Sequence, residues 1–214
     1  MNEKSINKIS KLTVDRYSGR FQKLRHDIKT LGWGSEQQQE YRFSQIVEHL
    51  SFDSKSVLDI GCGFGDFYLH LKQRGCQIEK YTGWDITPEF IEESKVKDAA
   101  VDLEIRNLAK NPPLEEVADI GVMIGLLNWK LESEDENYQY TEMMMRNAFA
   151  ATGQTLAVDF LSTHHTPEYP AESCVFYHDP AKVLEMAFQL SPNVDLVHSY
   201  SPIPQREFFV LIHK

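Results

Sequence analysis

The sequence predicts a doubly wound α/β fold, built on a mostly parallel seven-stranded sheet that ends in an antiparallel C-terminal hairpin. Three observations lead there. Short apolar runs alternate with segments of helical periodicity from residue 56 onward, which is the pattern of parallel βαβ units with helices on both faces. A glycine-rich turn joins the first of these runs to a helix. The last two runs are separated only by the Pro-rich stretch Ser201–Gln205, whereas a parallel crossover needs about a dozen residues or more, so this final pair must be antiparallel.

Residues 1–31 read as one or two polar surface helices. The first clear helix follows Gly32-Trp33-Gly34; Ser35 caps it, and Gln38 completes an S-x-x-Q capping box. Phe43, Ile46, Val47 and Leu50 then form one apolar stripe. Ser56–Ile60 is the first strand, and the glycine turn leads into a helix from about Asp66 to Arg74, ended by Gly75. Tyr81–Ile86 is the second strand. Thr87 as N-cap and Pro88 at the first helical position open the next helix. Asp102–Arg106 and Ala118–Ile124 are the third and fourth strands, a helix runs from about Asn137 to Ala150, and Thr155–Leu161 is the fifth strand. Asp179-Pro180 opens a further capped helix, and Val194–Tyr200 and Glu207–His213 complete the sheet.

A chain of 214 residues suffices for one sizeable core and a small cap. Its net charge of −10, from 32 acidic and 22 basic side chains, repels phosphate backbones and argues against a nucleic-acid partner. Cys62, Cys76 and Cys174 form no CxxC pair, which fits a reducing compartment and neither a disulfide framework nor a zinc site. The polar start MNEKSINKIS has no signal-peptide core, and the most apolar stretch, Val117–Trp129, is interrupted by Asp119 and too short to span a bilayer. The expectation is a cytoplasmic protein, monomeric or homodimeric, with no membrane partner.

The motif richest in chemistry is Val57-Leu58-Asp59-Ile60-Gly61-Cys62-Gly63-Phe64-Gly65, a strand, a tight turn and a helix start. Glycines here permit positive φ and a close ligand approach. Asp59, at the strand end, would repel a pyrophosphate but suits a ligand carrying an ammonium and a sulfonium. The spacing is G-x-G-x-G, without the G-x-G-x-x-G of a dinucleotide site. Asp85, about twenty residues past the turn, ends the second strand, where a carboxylate can accept both hydroxyls of a ribose.

On these residues the chain resembles the class I S-adenosylmethionine-dependent methyltransferase superfamily over roughly residues 50–214. The resemblance implies a Rossmann-like methyltransferase domain at 51–214 with a helical cap or lid at 1–50, and S-adenosyl-L-methionine as cofactor. Asp59, Gly61, Cys62, Gly63 and Gly65 would line the methionine portion, Asp85 would hold the ribose, and Ile86 would lie against the adenine. The family usually places an acidic residue after the third strand to bind the adenine amino group. This chain has Asn107-Leu108 there, and the Asn carbonyl can accept the same bond. Ile124 and Gly125 would close the site near the sulfur.

Trp33, Gln39 and Arg42 form a second constellation. The two polar residues continue the buried stripe of their helix, where Arg42 could meet a cofactor carboxylate or form an internal salt bridge packed on the tryptophan. On the acceptor side, His164 and His165 follow the fifth strand and are the candidate general bases, while Trp129, Tyr169, Tyr177 and His178 are candidate pocket walls. His164, His165, Glu168, Glu172 and His178 are suitable ligand types, but without compact spacing, so no metal is expected. The charge and the short chain favour a small-molecule acceptor. A methyltransferase acting on tRNA or protein, a non-catalytic binding protein of this fold, and a nicotinamide-dependent oxidoreductase are the alternatives.

Overall fold

The computed structural model describes residues 1–94, 96, 98–165, 171–199 and 207–214. Its strands are β1 (Ser56–Ile60), β2 (Lys80–Asp85), β3 (Val101–Ile105), β4 (Ala118–Met123), β5 (Thr152–Leu161), β6 (Val194–Val197) and β7 (Glu207–His213). They form one sheet in the order β3-β2-β1-β4-β5-β7-β6. The first five are parallel, and β7 runs antiparallel to both β5 and β6, so the terminal pair folds as expected. The helices are α1 (Glu3–Leu24), α2 (Glu36–His49), α3 (Asp66–Gln73), α4 (Pro88–Glu92), α5 (Glu134–Ala150) and α6 (Pro180–Phe188), with a 3₁₀ turn at Ile28–Leu31.

Strand alternation divides the core between the two faces of the sheet. In β5 and β7, Leu156, Val158, Phe160, Phe208, Val210 and Ile212 point to the face covered by α5 and α6. Ala157, Phe209 and Leu211, with Val57 of β1, point to the face covered by α2 and α3, against Phe43, Ile46, Phe67 and Leu71. The same parity brings Asp59, Asp159 and Glu207 to the α2/α3 face, where they are buried polar groups that require partners. The long helix α1 lies outside both layers. Phe21 and Tyr17 pack with Phe64 and Phe90, Ser18 bonds Glu89 (2.8 Å), and Asn107 bonds Ser10 (2.8 Å), so α1 spans the loops that follow β1, β2 and β3.

Element ends differ from expectation for local reasons. Helix α5 begins at Glu134, because Ser133 accepts from the Glu136 N–H (3.1 Å) and three acidic residues complement the first-turn dipole. Strand β5 begins at Thr152, which pairs with Ala118 before a register shift; the polar Thr-Gly-Gln stretch carries no strand pattern of its own. The capping box of α2 is half formed. Ser35 accepts from the Gln38 N–H (3.2 Å), but the Gln38 side chain accepts from Gly34 instead of Ser35. Thr87 stands at the N-cap of α4 without a side-chain cap bond.

Candidate functional site

Strands β1 and β4 are neighbours whose outgoing connections diverge, β1 toward β2 and β4 toward β5. A crevice opens beyond their carboxyl ends, at the switch point of the sheet. It holds a cavity of about 490 Å³, within the size range of small-ligand sites. Asp59, Gly61, Cys62 and Gly63 line it from the β1–α3 turn, Asp85 and Ile86 from the end of β2, and Ile124 and Gly125 from the end of β4. Trp33, Gln39 and Arg42 line it from the opposite side, and Trp129 from the loop after β4.

The glycines are needed for two reasons. Gly63 has φ +55° and Gly125 φ +74°, which L side chains rarely adopt. A Cβ on Gly63 would also stand 2.9 Å from Leu31, and one on Gly125 2.9 Å from Trp33. The Leu31–Trp33 segment therefore closes directly over both turns.

The floor of the cavity is acidic. Asp59 accepts a short hydrogen bond from the Tyr81 hydroxyl, and burial pushes its carboxyl up to about 7. Asp85 accepts from the N–H groups of Gly63 (3.0 Å) and Thr87 (2.7 Å); burial raises it, against the pull of those bonds. Burial also raises Asp66, which accepts from Gln39 (3.1 Å). Three carboxylates held together at the cost of desolvation form a site complementary to a positively charged ligand. Gly61 and Gly63 line the cavity beside Asp59, and a Cβ on Gly61 would stand 2.7 Å from Leu126. The residues present thus fit the sulfonium cofactor that the sequence implies.

Several expected site residues are placed elsewhere. Arg42 lines the cavity, but its guanidinium is committed to Asp159 (2.9 Å) and Glu207 (2.5 Å) and stacks on Trp33 at 4.8 Å, so the internal salt bridge is the arrangement that forms. Asp159 in turn accepts from the Gly125 N–H (2.5 Å). Asn107 turns its amide to Ser10 and accepts from the Lys110 N–H, and Leu108 is buried against the α5 face; neither lines the cavity. Gly65 is the N-cap of α3, at φ +88°, and does not line the cavity. His164 and His165 are exposed beyond β5, beside His198 and Tyr177 respectively, so neither reaches the cavity as a base. His178 is fully buried among Phe160, Phe176 and Tyr138, bonded to Thr141 (3.0 Å), and burial pushes its imidazole down to about 3; it is a core residue and no pocket wall. Tyr177 lies outside the lining, its hydroxyl accepting from the Glu172 N–H. Tyr169 and Glu168 lie outside the described residues.

The sequence reading missed the contribution of α1. Ile9, Thr13, Arg16, Tyr17 and Arg20 all line the cavity and form one helical face. Their i, i+4, i+7, i+8, i+11 spacing was available in the sequence. A mixed apolar, aromatic and basic stripe on a polar helix does not register as a core-facing pattern, however.

Strand order 3-2-1-4-5-7-6, a glycine turn over β1 and an acidic cavity at the switch point together define an α/β protein of the methyltransferase type. Residues 57–162 match the family model described as a methyltransferase domain. Over 167 residues the chain is 28% identical to Rv1506c of Mycobacterium tuberculosis, a protein with a methyltransferase name, covering 76% of this chain and 95% of that one. Among solved structures it is similar to magnesium protoporphyrin IX methyltransferase from Synechocystis PCC 6803 with bound SAH (TM-score 0.63, 14% identity, 94% of this chain and 98% of that chain). It is also similar to DhpI in its SAH complex (TM-score 0.65, 13% identity, 99% and 97%). Together these likenesses support the class I S-adenosylmethionine-dependent methyltransferase superfamily for this chain.

Proposed function

We propose that this enzyme transfers the methyl group of S-adenosyl-L-methionine to a small organic molecule, with residues 1–50 serving as a lid over the methyltransferase domain at 51–214. The observation that carries the reading is the acidic floor of the cavity under a helical roof. A roof of that kind leaves room for a small acceptor and hinders a macromolecule from presenting its reactive atom.

In this reading Asp85 would accept the ribose hydroxyls, Ile86 and Phe90 would flank the adenine, and Asp59, Gly61 and Gly63 would hold the methionine portion. The cofactor supplies a methyl carbon activated by its sulfonium. When bound, it would offer that carbon to the acceptor's nucleophile for an in-line displacement, with the electron pair of the broken carbon–sulfur bond left on sulfur. The chain's work is then alignment and exclusion of water, which supply much of the acceleration for such a displacement. No histidine lines the cavity among the described residues, so a histidine base has no part in the proposal.

Thermal unfolding with S-adenosylmethionine, S-adenosylhomocysteine and NAD tests the reading. Ligand at about a hundred times its dissociation constant stabilises the folded state by roughly 2.7 kcal/mol. A shift with both sulfur nucleosides and none with NAD is expected. A shift with NAD alone would return the oxidoreductase reading, and no shift with any of them would leave a non-binding protein of this fold.

Asp59 makes the binding pH-dependent. With its carboxyl pushed up to about 7, it is partly protonated near neutrality, and a bound cation favours the ionised form. Cofactor binding should therefore release a fraction of a proton at about pH 7 and almost none at about pH 9, where Asp59 is already ionised. Calorimetry in two buffers of different ionisation enthalpy reads this directly. Equal enthalpies in both buffers at neutral pH would remove Asp59 from contact with the cationic portion.

A further inference from the structure

The cavity is polarised. Its floor carries Asp59, Asp66 and Asp85, while the roof helix α1 contributes Arg16 and Arg20, one turn apart on the same face. Among the described residues neither guanidinium makes a hydrogen bond or an ion pair, in contrast to Arg42 with its two carboxylates. Both Arg16 and Arg20 are thus cations aimed into a ligand cavity without an internal counterion.

They face different ends of it. The Nη1 of Arg20 lies 3.0 Å from the point a Cβ on Gly32 would occupy, next to the Leu31 side chain that covers Gly63. Arg16 lies over the Trp129 ring, its guanidinium carbon 5.3 Å from the ring centre. Trp129 follows β4, and β1 separates β4 from the β2 end that carries Asp85, so Arg16 stands on the far side of the crevice from the ribose position.

Arg16 is the more tightly held of the two. Its Nε is buried with no hydrogen-bond partner. A buried donor left unmet is costly, and a ligand acceptor that reaches it recovers that cost. A guanidinium stacked on an indole presents its donor edge as a fork that fits an oxyanion with two parallel bonds. The lining of the same cavity includes the apolar or hydroxylic side chains of Ile9, Thr13, Leu127 and Tyr140; burial pushes the Tyr140 phenol up to about 12, so it remains a donor. Glu172, the one lining carboxylate outside the acidic floor among the described residues, is exposed.

We propose that the methyl acceptor is a small organic acid whose oxyanion, a carboxylate or a phosphonate, is held by Arg16 on the face of Trp129. This rests on the methyltransferase reading above. Arg16 acts here as a residue that selects and positions the acceptor, while the methyl-accepting atom can be the oxyanion itself or another nucleophile on the same molecule.

The test is calorimetric titration of the full chain saturated with S-adenosylhomocysteine, using benzoate, phenylphosphonate and the neutral benzamide as probes. At least one anion should bind about tenfold or more tightly than benzamide, and should weaken with added salt. Arg16→Gln should abolish that preference while leaving S-adenosylhomocysteine affinity within about twofold. Benzoate ahead of phenylphosphonate would identify a planar carboxylate, and the reverse order a tetrahedral oxyanion. Benzamide binding as well as the anions, an anion preference that survives in Arg16→Gln, or no anion binding at millimolar concentration would each overturn the proposal. So would a large loss of S-adenosylhomocysteine affinity in Arg16→Gln, which would place Arg16 on the cofactor. If the wild-type chain fails to bind S-adenosylhomocysteine at all, the methyltransferase reading falls first.

Discussion

Replacing Arg42 with alanine is expected to destabilise the fold by about 3–5 kcal/mol at pH 8, the usual cost of removing one partner from a buried ion pair. Arg42 is the only cation that the ion pairs of the described residues provide for Asp159 and Glu207, and all three side chains are more than nine-tenths buried. Without it, two carboxylates from adjacent antiparallel strands are left together in an apolar layer formed by α2 and α3. The pH dependence has a definite sign. Burial already pushes Glu207 up to about 7 from its ordinary 4.5. A carboxyl whose folded pKa is raised contributes stability below its unfolded value, and this is lost as pH climbs through the folded value. Loss of Arg42 raises both carboxyls further, so the variant should be penalised most above pH 7 and least near pH 5, where protonation neutralises the pair. Denaturant unfolding at the two pH values measures this. A loss below about 1 kcal/mol, or one that is independent of pH, would show that the triad does not hold α2 to the sheet.

The effect should reach the cavity as well. Asp159 also accepts the Gly125 N–H, and Arg42 supports the Trp33 ring that closes over Gly125. A destabilised triad therefore frees the Leu31–Trp33 segment from the glycine turns, and cofactor affinity should fall together with stability.

Asp85→Ala carries the largest expected effect on binding. Each carboxylate oxygen of Asp85 accepts one backbone N–H, from Gly63 and from Thr87, which fixes the carboxyl at the cavity floor with lone pairs to spare. In the proposed complex these lone pairs meet the two ribose hydroxyls. Hydrogen bonds to a charged group are worth about 1.5–3 kcal/mol each, so losing both should weaken S-adenosylhomocysteine binding by about a hundredfold or more. Calorimetry on folded protein, with circular dichroism as a check, reads the effect. Asp85→Asn, which keeps one acceptor oxygen and can still meet a backbone N–H, should lose less. Unchanged affinity in Asp85→Ala would refute the ribose role.

Much of the fold was legible because its causes are local. The strand–glycine–helix unit at Val57–Gly65, the Thr87-Pro88 and Asp179-Pro180 helix starts and the short terminal connection each follow from nearby residues. Asp59 and Asp85 were legible for the same reason, since a residue at the end of a parallel strand is aimed at the crevice whatever else packs around it.

The acceptor side was not legible in this way. His178 follows strand β5 by seventeen residues and could as well have faced solvent; only the packing of Phe160, Phe176 and Tyr138 around it makes it a core residue. Asn107 carried the adenine role by position, yet α1, which arrives from nearly a hundred residues earlier in the chain, takes its amide through Ser10. The fate of Arg42 was likewise open in the sequence, because Asp159 and Glu207 lie more than a hundred residues away and reach it through strand parity and the insertion of β7 beside β5.

The sequence by itself determined the doubly wound sheet, its antiparallel close and the acidic glycine turn, because backbone periodicity, turn chemistry and strand-end geometry act over a few residues. Only the tertiary structure decided which polar side chains face the ligand and which neutralise one another inside. A buried charge must find its partner in space, and here the partners come from helices and strands that are distant in the chain.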